Sequence, residues 1–129
     1  MAMLQVGDDR QVMPYCDEHL AMDFTQQAVI LDSERMILTR KEYDLLALLV
    51  QHAGEIIPRE ALLMQVWGYG VEIRTRTLDV HVRRLRKKLG GYADQYIETI
   101  FGIGYRFQPF HAPRFFQTHV AKPAMAFGA

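Results

Sequence analysis

From residue 20 onward the chain alternates apolar and polar positions. Leu20, Met22 and Phe24 fall on one side of an extended strand, Ala21 and Asp23 on the other, and short apolar runs follow at Ala28–Leu31 and Arg35–Leu38. Gln26-Gln27 and Asp32-Ser33-Glu34 separate the runs, which predicts a small antiparallel sheet of three strands. At Thr39 the period changes. Thr39 and Glu42 have the spacing in which a hydroxyl and a carboxylate each satisfy a free backbone N–H at a helix start. Tyr43, Leu46, Leu49 and Val50 then keep one face apolar, Leu45 and Leu48 widen it, and Gly54 suits a left-handed stop. Ile56 and Ile57 form a short extended link, and Pro58 opens a second helix whose Leu62, Leu63, Val66 and Trp67 share a stripe.

Gly68-Tyr69-Gly70 ends that helix, and a loop through Ile73 leads to a third, predicted over 75–89 and stopped by Gly90-Gly91. Projected at about 100° per residue, Leu78, Val82, Leu85 and Leu89 line one side. Arg76, Thr77, Arg83, Arg84 and Lys87 surround Val80 on the other, with His81, Arg86 and Lys88 on the flanks. Two strand-like runs, Tyr96–Phe101 and Tyr105–Phe107, meet at Gly102-Ile103-Gly104 as a hairpin. Residues 1–18 show no period and are read as a flexible arm or linker remnant. The main domain is expected over 19–108, and 109–129 reads as a disordered tail.

Charge sharpens this picture. The 129 residues carry 15 basic and 15 acidic side chains, yet up to residue 60 the balance is 5 to 11 and from residue 61 it is 10 to 4. A neutral total therefore hides a basic half. Between Arg74 and Lys88 there are seven basic residues and one acid, Asp79. A solvated helix usually interleaves acids at i,i+4, whereas like charges placed there repel by a few tenths of a kcal/mol per pair. A polyanion would remove that cost. Thr77 and Val80 amid the cations are small enough to let base edges and thymine methyls approach, and the order of the last two helices is that of a helix-turn-helix.

Other chemistry finds little support. Cys16 is the single cysteine, so an intrachain disulfide and a zinc set based on CxxC are excluded, which suits a reducing cytoplasm. The longest apolar run, Leu45–Val50, is six residues, far short of a membrane span, and no secretory signal opens the sequence. Gly102-Ile103-Gly104 lacks the third glycine and following helix of a nucleotide loop. Cys16 with His19 has no oriented third group for nucleophilic or metal chemistry. With no paired carboxylates, triad or metal set, neither an enzyme nor a cofactor is expected.

The segments Leu38–Tyr43 with Leu45-Leu46, Arg59-Glu60 with Leu62, Val66, Trp67 and Gly68, Arg76–Leu89, Ile97–Thr99 and Gly102–Phe107 together resemble the OmpR/PhoB-type output domain of bacterial two-component response regulators. The resemblance covers about Leu20 to Phe107. It implies an α+β winged helix-turn-helix: an N-terminal four-stranded antiparallel sheet, a three-helix bundle and a C-terminal β-hairpin wing. Ile56-Ile57 is taken as the fourth strand.

It further implies sequence-specific binding of double-stranded DNA as a transcriptional regulator, head to tail on direct repeats, by a domain that is monomeric when free. Arg84 looks like the main base-reading side chain, with Thr77 and Val80 beside it. Arg76, His81, Arg83 and Arg86 match phosphate-contacting positions, and Thr99 and Arg74 are further candidates for backbone contacts. Tyr69 and Glu72 lie in the loop that the family turns toward RNA polymerase. Trp67, Tyr105 and Phe107 are expected in the core between the third helix and the wing.

Two departures stand out. Phe101 occupies a wing position where the family often offers an Arg to the minor groove; a phenyl ring can pack or wedge but cannot follow the groove's negative potential. Arg106 is then expected to serve the wing structurally. The 18 or so residues before the first strand cannot house a receiver domain, so the chain reads as either a fragment or a regulator working without phosphorylation. A reading from another class makes the basic face a protein-interaction module docking an acidic partner.

Overall fold

The computed structural model describes residues 14–68, 75–110 and 114–115. They belong to two compact units, one comprising the chain up to Met36 together with the stretch from Phe110, the other Ile37–Pro109.

The first unit is an antiparallel sheet of β1 (Tyr15–Cys16), β2 (Leu20–Asp23), β3 (Ala28–Leu31), β4 (Glu34–Arg35) and β8 (Arg114–Phe115), ordered β4-β3-β2-β1-β8. The alternation in β2 is real: Leu20 and Met22 are buried, and Ala21 and Asp23 are not. Asp17 forms the β1–β2 turn, its Oδ1 accepting from the backbone N–H groups of His19 and Leu20 at 2.9 Å each. Such a carboxylate supplies acceptors that the turn's own backbone lacks. Asp32 and Ser33 form a two-residue β3–β4 loop with φ of 50° and 71°, the primed geometry that matches strand twist.

Three expectations are corrected here. Tyr15–Cys16 is a strand inside the stretch read as an arm, with Tyr15 fully buried. Arg114–Phe115 pairs with it from inside the stretch read as a disordered tail. Ile56-Ile57 is not the fourth strand of this sheet, because its backbone pairs with the wing instead.

The second unit holds α1 (Arg40–Gln51), β5 (Ile56–Pro58), α2 (Arg59–Trp67), α3 (Thr75–Leu89), a 3-10 turn at Gly90–Tyr92, the short α4 (Ala93–Tyr96), β6 (Ile97–Ile100) and β7 (Gly104–Phe107). The reciprocal cap at α1 is present: Glu42 N donates to Thr39 Oγ1 at 3.2 Å and Thr39 N to Glu42 Oε1 at 3.0 Å. α1, α2 and α3 pack on one another around Leu45, Leu46, Leu49, Leu62, Leu78 and Leu85, all fully buried. β5, β7 and β6 form a three-stranded antiparallel sheet in that order. Tyr96 stacks on Phe107 at 5.3 Å beneath it. At Gly104 an added Cβ would lie 2.0 Å from the Ile57 carbonyl oxygen, so only glycine lets β5 and the hairpin meet. Among the described residues no helix is long and apolar enough to cross a membrane.

Candidate nucleic-acid interface

α3 has two sides with different fates. Leu78, Val82, Leu85 and Leu89 are at most 1% exposed, so this stripe anchors the helix in the bundle. On the opposite side Arg76, Arg83, Arg84 and Lys87 are exposed, and none has a side-chain partner among the described residues. Thr77 and Val80 lie half-buried between them. The outward face is thus a shallow strip of small side chains bordered by unneutralised cations.

The flanks are bonded to neighbouring elements. On one, Asp79 accepts two hydrogen bonds from Arg59 Nη2 at the start of α2, at 2.7 and 2.8 Å, and one from the Tyr105 hydroxyl of β7 at 2.8 Å. The hydrogen bonds from Arg59 hold the Asp79 carboxyl below its ordinary range, outweighing the upward push of burial. Burial, followed by donation to that carboxylate, raises the Tyr105 phenol. Two turns on, Arg86 Nη2 donates to the Ile97 carbonyl at 2.8 Å and to Thr99 Oγ1 at 2.6 Å. Its guanidinium stands 5.7 Å from the Tyr105 ring centre, and its buried Nε finds no hydrogen-bond partner among the described residues.

Lys88 ties the end of α3 to the start of α1, donating to Glu42 Oε1 at 2.6 Å and to the Ile37 carbonyl at 3.0 Å. Glu42 is 2% exposed. Burial pushes its carboxyl up, but the Lys88 ammonium and the Thr39 cap together bring it below the usual range. On the other flank His81 Nδ1 lies 2.8 Å from the Thr77 carbonyl, which assigns the Nδ1 proton to that bond. The His81 ring meets Trp67 edge-on at 4.9 Å.

The structure therefore brings Arg76, Thr77, Val80, Arg83 and Arg84 together and places His81 beside them. Arg86 and Thr99 bond to each other instead of facing outward, because acceptors on β6 reach that side of the helix. Arg74, Tyr69 and Glu72 lie outside the described residues. Tyr105 and Phe107 are core, as expected, but Trp67 packs on the His81 flank and not between α3 and the wing. Arg106 pairs across the hairpin with Glu98 at 2.9 Å, the structural role foreseen for it. Sequence reasoning missed Arg59, whose bond to Asp79 spans 20 residues; its only signal was Asp79, a lone acid in a basic helix. Among the described residues no group of three His, Cys, Asp or Glu could hold a metal ion.

A buried-stripe helix following a second helix, with a hairpin pinned to its side, is the winged helix-turn-helix architecture. The sequence profile described as "Transcriptional regulatory protein, C terminal" matches residues 33–107, and the chain belongs to that family. It is similar to the uncharacterized transcriptional regulatory protein YclJ of Bacillus subtilis, at 50% identity over 70 residues that cover 54% of this chain and 31% of that protein. To the transcriptional regulatory protein HprR of Escherichia coli it is 44% identical over 89 residues, 68% of this chain and 40% of the relative. The chain thus spans about a third of the length of these relatives. Among solved structures, the Klebsiella pneumoniae RstA DNA-binding domain in complex with the RstA box superposes with a TM-score of 0.67 at 33% identity, over 75% of this chain and 98% of that one. The Thermotoga maritima response regulator DrrB, an OmpR/PhoB homologue, gives 0.69 at 28% identity, over 83% and 57%.

Proposed function

We propose that this domain binds double-stranded DNA sequence-specifically as the output module of a cytoplasmic transcription regulator, with the outward face of α3 in the major groove. The observation that carries this reading is the segregation of α3: a leucine stripe at most 1% exposed behind, and in front, around Thr77 and Val80, four cations without a side-chain partner among the described residues. A guanidinium meets guanine O6 and N7 bidentately, a role that suits Arg84 beside Val80. Arg76 and Arg83 flank it as phosphate ligands, fixing register without reading sequence. His81 has only Nε2 left for a phosphate, which requires a proton there. Arg86 and Thr99 support the surface from behind, and Arg74, which precedes α3 in the sequence, is a further candidate for a backbone contact.

Two copies aligned head to tail would read direct repeats about one helical turn apart. Tyr69 and Glu72, between α2 and α3, are the residues offered to RNA polymerase.

Selection of bound sites from random duplexes at two salt concentrations tests this. The expected result is a direct-repeat motif. The logarithm of affinity should fall against that of salt with a slope of about −4 to −5, as for roughly four to six phosphates neutralised per domain. Enrichment of no motif, with binding instead to an acidic protein surface, would replace this reading with a protein-docking one.

A further inference from the structure

We propose that the wing tip, Phe101 with Ile103, is an apolar wedge that presses into the minor groove of the duplex held by α3 and loosens a base step there; this rests on the DNA reading above. Phe101 is 89% exposed and Ile103 50% exposed. Residues 99–104 carry no charge. A tip made to track the negative potential of a groove needs Lys or Arg. A tip made only to turn the chain has no use for two large apolar side chains left in water, at about 25 cal/mol per Å² of apolar surface.

The tip is also braced. Ile103 N donates to the Ile100 carbonyl at 2.9 Å, and Gly102 at φ 78° completes a tight turn that holds Phe101 at its first corner. β5 supports the base of the tip through the close approach at Gly104. Arg59 then joins the tip to α3 with its two ends: its backbone N–H donates to the Ile103 carbonyl at 2.9 Å while its guanidinium holds Asp79. Asp79 immediately precedes Val80, at the centre of the outward face. The tip is therefore registered against the reading surface through Arg59, alongside the Tyr105–Asp79 and Arg86–Thr99 bonds at the base of the hairpin, and has little conformational freedom left to lose on binding.

The occupant follows from charge. Any partner lying against both α3 and the tip must neutralise Arg76, Arg83, Arg84 and Lys87, which calls for a polyanion, yet it must also offer the tip an apolar slot. Duplex DNA offers both, through its phosphates and through the sugar walls and stacked bases of the minor groove. Phe and Ile inserted there part a base step and kink the helix. Pyrimidine–purine steps, TA and CA/TG, yield most easily. Phe101 would thereby create a base preference at a fixed distance from the α3 site without any hydrogen bond to it.

The test uses the full chain, as wild type, Phe101→Ala and Phe101→Leu, each selecting from the same random duplex library. The wild-type consensus duplex is then labelled with 2-aminopurine at the flanking step. All three proteins should enrich the same core motif. Wild type and Phe101→Leu should also enrich a pyrimidine–purine step beside it and raise the 2-aminopurine fluorescence on binding. Phe101→Ala should lose both and bind about tenfold more weakly, the scale left when phenyl burial is set against the cost of unstacking. The wedge is overturned if Phe101→Ala keeps the wild-type flank preference, fluorescence and affinity. It is equally overturned if the only change is lost self-association of the free chain in sedimentation, which would put a second copy on the tip. Failure of the wild type to enrich any core motif is a different outcome, and it rejects the DNA reading itself.

Discussion

α3 carries two populations of cations that composition alone does not distinguish. Arg83, Arg84 and Lys87 face outward without a partner among the described residues, whereas Arg86 and Lys88, a residue or two away, are bonded to β6 and α1. Residue type is the same; the acceptors within reach differ. A basic helix is thus not a uniform electrostatic surface. Its flanking cations orient the element, and only those left unneutralised are available to a polyanion.

Substitutions should separate these roles. The largest loss of stability is expected from the inner stripe: Leu85→Ala should cost about 2–5 kcal/mol in denaturant unfolding, since it opens a cavity where α3 meets the bundle. Lys88→Met should cost about 1–3 kcal/mol by leaving the Glu42 carboxylate buried with only its cap, while the folded fraction keeps its preference among DNA sequences. Unchanged stability in Lys88→Met would return this residue to the outward population.

Acid should act through the same flanks. Asp79 and Glu42 both titrate below their ordinary range in the folded chain, so at falling pH the unfolded chain takes up protons first. Their contribution is complete above the ordinary carboxylate range and is lost as pH falls through the depressed native values. A pH series of unfolding midpoints should show this decline, and Lys88→Met and Arg59→Met should each flatten part of it. The smallest effect is expected at the half-exposed Arg106–Glu98 pair, where Arg106→Ala should change stability by about 0.2–1 kcal/mol in the same assay.

Legibility in the sequence followed the range of each interaction. The cap at Thr39 and Glu42, the leucine stripe of α3 and the hairpin at Gly102 each depend on residues within a few positions, and each stands where the pattern placed it. β1 is two residues long, too short for alternation to register. The pairing of Ile56–Pro58 with β7 depends on backbone partners nearly fifty residues away, so local pattern could identify a strand but not its sheet. The outward face was legible because helical geometry alone sorts it. The removal of Arg86 from that face was not, because its acceptors, Ile97 and Thr99, lie on another element.

On the proposed reading, the cations of α3 that have no partner among the described residues divide into one that reads bases and others that grip phosphate. Affinities of wild type, Arg84→Ala and Arg83→Ala for the selected duplex and for random duplex, at one salt concentration, test it directly. Arg84→Ala should lose about 1–3 kcal/mol on the selected site and far less on random DNA, while Arg83→Ala should weaken both alike. Equal losses on the two duplexes for Arg84→Ala would contradict the account.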